Sequence, residues 1–183
     1  AAIEADVARS LAALAELGGT PVALEAHFRG EHALTLTLDG DAYMISGVVD
    51  RIDRLADGSL RVIDYKLGVS DYDKSSALAE GKRLQLPLYA LAAARLGHGV
   101  VSDGVYWFVT QARASKWSLD RFEEPATGAV GAAAAIELAV AHAHAAVQGA
   151  RQGQFQPTPP ATGCPDYCPA AGFCWRYRPK ENR

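Results

Sequence analysis

The sequence predicts an α/β fold, a central mixed β-sheet flanked by helices, followed by an irregular cysteine-rich C-terminal lobe. Three observations predict it. Between Pro21 and Lys66, strand-like runs, with Leu34, Leu36 and Leu38 alternating with Thr35, Thr37 and Asp39, are punctuated by Asp-Gly pairs. Helical patterning occupies the start of the chain, a middle segment and a long Ala-rich stretch. Beyond Phe155, Pro, Gly and Cys dominate and no period survives. The chain has 183 residues, of which 49% are hydrophobic and 21% charged, enough for one domain with a sizeable core.

Taken in order, Ile3 to Leu17 reads as an amphipathic helix stopped by Gly18-Gly19. Pro21–Phe28 and Ala33–Leu38 read as strands, and Asp39-Gly40 as a hairpin turn. Ala42–Asp53 is the next predicted strand, Asp57-Gly58 the next turn, and Ser59–Lys66 the strand that follows, which together describe an antiparallel meander. Gly68–Ala79 reads as loop and Glu80–Arg95 as helix, ended by Gly97. Val100–Thr110 is a further strand, with Trp117 in a short strand after it, and Thr127–Gln152 is a long helix.

No apolar run reaches the roughly 18 residues of a membrane span. The opening segment reads as an amphipathic helix rather than a secretory leader, so a cytoplasmic protein is expected. The first residue is not Met, and the chain is expected to be a piece whose beginning lies upstream. The net charge of −3 does not exclude a nucleic-acid partner, because acids at a metal site cancel basic residues in a global count. A local basic rim is expected from Lys66, Lys74, Lys82 and Arg83, and from Arg176, Arg178, Lys180 and Arg183 in the tail.

The chemistry concentrates between Gly47 and Tyr89. Asp50 closes the apolar run Gly47-Val48-Val49, and Asp64 closes Arg61-Val62-Ile63. If the two strands pair across Asp57-Gly58, both carboxylates reach the same end of the sheet. Two buried carboxylates repel, and one protonates unless a cation lies between them. Mg²⁺ or Mn²⁺ is the natural partner of an all-oxygen site, with the Tyr65 backbone carbonyl as a further ligand. Lys66 shares a face with Asp64. It is therefore placed to orient a water, whose pKa a metal lowers from about 15.7 to about 7, and to offset charge on a pentacovalent phosphate. Gln85 and Tyr89 project from one face of the following helix.

Gly47-x-x-Asp50, Asp64-Tyr65-Lys66 and Gln85-x-x-x-Tyr89, in this order and spacing, resemble the PD-(D/E)xK nuclease superfamily, whose core is restriction-endonuclease-like. More narrowly, they resemble the RecB/AddB-type nuclease domain with C-terminal iron–sulfur cysteines. The resemblance implies a Mg²⁺- or Mn²⁺-dependent DNA nuclease, an exonuclease acting on ends or single strands in repair and recombination. A helicase subunit or domain is the implied partner. It implies Asp50 and Asp64 as metal ligands, Lys66 as the catalytic lysine, and Gln85 and Tyr89 as supporting site residues. The family's further acid or His on an N-terminal helix has no counterpart before His27, and Glu25 is the candidate extra acid. The alternative reading is a weak or inactive nuclease-fold module that binds DNA or a protein.

Three cysteines, Cys164, Cys168 and Cys174, lie within eleven residues. Clustered thiols without a secretory signal read as metal or cluster ligands. They suit three corners of a 4Fe–4S cluster or, alternatively, Zn²⁺. The resemblance implies a fourth ligand from an upstream cysteine that is not in this chain. The predicted organisation is thus a nuclease core over residues 1–155, lacking its N-terminal part, and a Cys-rich tail over 156–183.

Overall fold

The computed structural model describes residues 2–38, 40–68, 72, 74–161 and 163–179. It divides into two compact units, residues 1–144 and 145–183, each described by itself. Helix α1 (Ala2–Glu16) opens the first unit. Strands β1 (Thr20–Phe28), β2 (Leu34–Leu38), β3 (Asp41–Ile45), β4 (Gly47–Arg54) and β5 (Leu60–Lys66) follow. The short helix α2 (Ser76–Ala79) and α3 (Gln85–Arg95) precede β6 (Val101–Phe108) and β7 (Arg113–Ala114); α4 spans Gly131–Arg151.

Among the described residues, the main sheet has five strands in the order β1-β4-β5-β6-β7. β5 and β6 pair in parallel, while the other neighbours are antiparallel, so the sheet is mixed as expected. The parallel pair follows from the crossover through α2 and α3, since parallel neighbours need a long connection. Successive residues of β5 and β6 serve opposite faces. Val62 and Tyr106 join one apolar cluster with Leu86, Ala90 and Ala93 of α3 and Ala135 and Ala139 of α4. Ile63, Val105 and Trp107 join another with Leu14 of α1. With both faces covered, the two strands read as nearly continuous apolar runs. The Trp107 indole donates to the Ser10 hydroxyl at 2.7 Å, which fixes α1 on its face.

The expected meander is not the observed topology. The predicted strand Ala42–Asp53 is two strands in two sheets, interrupted at Ser46. β2 and β3 form a separate hairpin, and β1 pairs with β4. The hairpin is an insertion between β1 and β4, and Gly47 marks where the chain returns to the main sheet. Phe28, 2% exposed, lays its ring on its register partner Gly47, where a Cβ would sit 2.6 Å from the ring. Asp39 of the predicted Asp39-Gly40 turn lies outside the described residues, as do Lys180 and Arg183 of the predicted basic tail.

Two helix starts also differ from expectation. The helix expected from Glu80 begins at Gln85, because Gly81 (φ +71°) and Arg83 (φ +56°) take left-handed backbone that no helix continues. The helix expected from Thr127 begins at Gly131, after a turn in which Gly128 N–H donates to Glu124 O at 2.8 Å. Trp117 lies outside β7; it is buried against Tyr106, and its indole donates to Tyr72 O at 2.9 Å. The second unit carries the end of α4 and an irregular lobe. There Cys164 N–H donates to Arg178 O at 2.5 Å, and the Arg176 guanidinium bonds Pro157 O at 3.2 Å.

Gly47→Ala is expected to destabilise the fold by about 1–3 kcal/mol through overpacking against Phe28. Thermal unfolding checks this: a melting temperature equal to the parent's would mean the Phe28–Gly47 approach is not a tight one.

Candidate active site

Strands β4 and β5 deliver the two aspartates. Their antiparallel register runs to Arg51↔Ile63, and one step further sets Asp50 across from Asp64. Cross-strand partners share a face, so both carboxylates project toward the α3 side with Ile52 and Val62. At this point the backbone ladder gives way to a side chain: Tyr65 N–H donates to Asp50 Oδ2 at 2.9 Å. In extended chain the N–H and C=O of one residue serve the same neighbour, so the Tyr65 carbonyl is turned to the β4 side as well.

Asp64 is 1% exposed. Its Oδ2 forms an ion pair with Lys66 Nζ at 2.5 Å. Burial pushes the Asp64 carboxyl up from 3.8 to about 6; the hydrogen bond and charge of Lys66 pull it down, and the Asp50 charge raises it. Two carboxylates brought together, one of them buried, with a backbone carbonyl beside them, are a donor set a hard divalent cation fits.

Lys66 is held from several sides. Its ammonium donates to Gln85 Oε1 at 3.0 Å and sits over the rings of Tyr72, 5.0 Å, and Tyr106, 5.7 Å. Gln85 Nε2 donates to the Tyr89 hydroxyl oxygen at 2.6 Å. A lysine ammonium has only donors, so the amide oxygen must face it and the Gln85 NH₂ must face Tyr89. The Tyr89 O–H is left to donate elsewhere. The Tyr89 ring in turn meets Phe28 edge-to-face at 5.9 Å, which ties the site to the Phe28–Gly47 contact. Burial raises the Tyr89 phenol above its ordinary value, with the charges of Asp64 and Asp50 adding to the shift.

The structure therefore brings Asp50, Asp64, Lys66, Gln85 and Tyr89 together. It does not bring Glu25. That residue stands at the register level of Asp50 on β1, but it is exposed with φ +51°. Among the described residues, no three His, Cys, Asp or Glu side chains gather as a metal-holding group. The same holds for the thiols of the second unit. Cys164 is buried and its sulfur accepts from Arg178 N–H at 3.5 Å; Cys168 and Cys174 are half-buried and free.

Sequence reading missed Tyr72 and Tyr106, the aromatic walls around Lys66. Tyr106 is the register partner of Asp64 across the parallel pair, so it was findable once β6 was aligned beside β5. Tyr72 lies in a segment without periodicity and left no signal. Asp53, three residues from Asp50, belongs to the opposite face, where Arg51 holds it through hydrogen bonds of 2.6 and 2.8 Å.

The family model of the PD-(D/E)XK nuclease superfamily matches residues 2–175. This chain belongs to that superfamily, and its mixed sheet flanked by helices is the restriction-endonuclease-like core. An ATP-dependent helicase/deoxyribonuclease subunit of Streptococcus mutans serotype c (strain ATCC 700610 / UA159) is 47% identical over 68 residues, 37% of this chain and 6% of that protein. Its counterpart of the same name in Streptococcus equi subsp. zooepidemicus (strain MGCS10565) is 41% identical over 70 residues, 38% of this chain and 6% of that protein. The chain thus aligns with a small part of these relatives' length. Among solved structures, SSO0001 aligns with 74% of this chain and 57% of its own, at 18% identity and a TM-score of 0.38, a likeness too slight to build on.

Because the folded Asp64 carboxyl titrates above its ordinary 3.8, its contribution to the metal-free protein's stability is fully present below about 3.8 and lost as pH rises through about 6. Asp64→Asn removes that buried charge. It is expected to raise the metal-free melting temperature by several degrees near pH 8, from at most about 3 kcal/mol, with the gain vanishing below about pH 4. Calorimetry in chelator across this range checks it; a variant less stable than the parent at pH 8 would contradict it.

Proposed function

We propose that this chain is a Mg²⁺- or Mn²⁺-dependent DNA nuclease module of a longer helicase–nuclease, hydrolysing phosphodiesters from DNA ends or in single strands. The observation that carries this reading is the convergence of Asp50, Asp64 and Lys66 at one end of the sheet, locked by Gln85 and Tyr89. Support for the helicase context comes from the relatives, which are named helicase/deoxyribonuclease subunits.

In this reading Asp50, Asp64 and the Tyr65 carbonyl hold the cation. When bound, it supplies Lewis-acid chemistry, polarising the phosphoryl group and acidifying a water. The chain's own residues do the rest. Lys66, beside Asp64, offsets negative charge as it builds on the phosphate and orients the attacking water. Gln85 and the Tyr72 and Tyr106 rings hold the ammonium in one position, so the reaction does not have to order a flexible side chain. The free Tyr89 O–H is a donor for a phosphate oxygen. Among the described residues no helix is long and apolar enough to cross a membrane, and this role calls for none.

A second reading, a weak or inactive module that binds DNA or a protein partner, is favoured by one observation: among the described residues only two carboxylates converge, and Glu25 does not join them. Cleavage of end-labelled linear DNA separates the two. The nuclease reading expects Mg²⁺- or Mn²⁺-dependent products that chelator abolishes, with Asp64→Ala and Lys66→Ala each lowering the rate by about 10²-fold or more. DNA binding without any cleavage would support the binding module, and cleavage surviving in Asp64→Ala would overturn the site assignment.

For the second unit we propose ligation of a 4Fe–4S cluster, or of zinc, by Cys164, Cys168 and Cys174 with a fourth ligand from outside this chain. Support comes from the donor set alone, three free thiols within eleven residues. Iron, sulfide and zinc analysis is expected to find metal that Cys168→Ser depletes; metal-free, fully folded protein would remove the proposal.

A further inference from the structure

Beside the site, an open groove of about 520 Å³ is lined by Lys74, Ser76, Ala77, Glu80, Lys82 and Arg83. It follows α2 and ends where α3 begins. Among the described lining residues, three cations and one carboxylate give an excess of positive charge. It is polar and wide, and its volume lies within the roughly 300–1,000 Å³ typical of ligand sites.

The groove is joined to the site through one ring. The Arg83 guanidinium lies 4.0 Å from the Tyr72 ring centroid, and Lys66 Nζ lies 5.0 Å from the same centroid. Two cations sharing an aromatic ring repel each other, and the arrangement is relieved when an anion lies across both. The placement of Arg83 is also held deliberately. Its backbone sits at φ +56°, which costs a non-glycine residue about 1 kcal/mol or more, and the buried Tyr106 hydroxyl donates to its carbonyl at 3.2 Å. Lys82 is exposed and pairs with Glu80 at 2.8 Å. An exposed pair of this kind is worth about 1 kcal/mol or less, so an arriving phosphate displaces it cheaply.

We propose that this groove binds the backbone phosphates of single-stranded DNA next to the bond that is cut, with Lys82 and Arg83 as phosphate contacts and Glu80 as an electrostatic brake. The proposal rests on the nuclease reading and adds the direction in which the strand leaves Lys66, over Tyr72 and along the turn before α3. Arg83 offers two donors to one phosphate, and Lys82 follows as a point charge. No base is read, so the contacts are independent of sequence.

The test is fluorescence anisotropy with a labelled single-stranded oligonucleotide in Asp64→Asn protein, which keeps the groove and does not cleave, titrated over a series of salt concentrations. Lys82→Gln and Arg83→Gln are each expected to weaken binding severalfold and to lower the slope of log K against log salt by about 0.7 per lost contact. Glu80→Gln is expected to tighten binding. Arg121→Gln makes the same charge change outside the groove and is expected to match the parent. Unchanged affinity and slope in both Lys82→Gln and Arg83→Gln, or an equal loss in Arg121→Gln, would overturn the proposal. Lys82 is exposed, so its variant is expected to fold, and its melting temperature confirms that. Groove-dependent binding in a parent that never cleaves would sink the nuclease reading and leave the groove; cleavage with groove variants at parent affinity would do the reverse.

Discussion

A carboxylate buried inside a sheet is costly, and the first unit is arranged around that cost at Asp64. Burial lifts its titration toward neutral pH, and the Lys66 ammonium only partly compensates. Everything near it bears on that balance. Asp50 is turned toward the same point by the Tyr65 N–H, Lys66 is fixed by Gln85 and two aromatic rings, and Gln85 is oriented by Tyr89. The result is a carboxyl whose charged form burial disfavours, the kind of perturbed group that candidate sites tend to hold.

The scaffold explains why these groups hold their positions. Tyr89 leans on Phe28, and Phe28 occupies the space that a side chain at Gly47 would need. The first motif glycine and the last motif tyrosine are therefore mechanically linked although 42 positions separate them in the chain. Parallel pairing of β5 with β6 brings Tyr106 beside Asp64, and the Tyr106 hydroxyl reaches on to Arg83. One buried aromatic residue thus touches both the candidate metal site and the groove that adjoins it.

The α3 side and the α1 side of the sheet divide the charged residues cleanly. Asp50, Asp64 and Lys66 lie on the first. The Arg51–Asp53 and Arg61–Asp103 pairs lie on the second, each closed by bonds of 2.6 to 2.8 Å. Asp53 and Asp64 are equally buried, at 1% exposure. Asp53 is satisfied by a forked guanidinium, while Asp64 has a single ammonium and a second carboxylate beside it. That contrast, more than burial, separates a structural acid from a candidate ligand.

The sequence by itself determined the mixed α/β class, most of the long elements and the grouping of Asp50, Asp64 and Lys66, because strand alternation fixes which side chains share a face; Gln85 and Tyr89 joined them through the family resemblance, and the short helix Ser76–Ala79 was read as loop. It failed where the outcome turned on contacts between distant segments. The break at Ser46 was invisible because both halves of Ala42–Asp53 are good strand; only the demand that Phe28 pair with Gly47 splits them. The late start of α3 was set by the left-handed backbone at Gly81 and Arg83, and the latter is held by a tyrosine 23 residues away. Glu25 looked like a third acid, yet its φ of +51° and its exposure are properties of the β1 edge, not of its neighbours in sequence. Periodicity is local and can be read along the chain; which faces meet, and which acids are buried side by side, is decided only when the sheet closes.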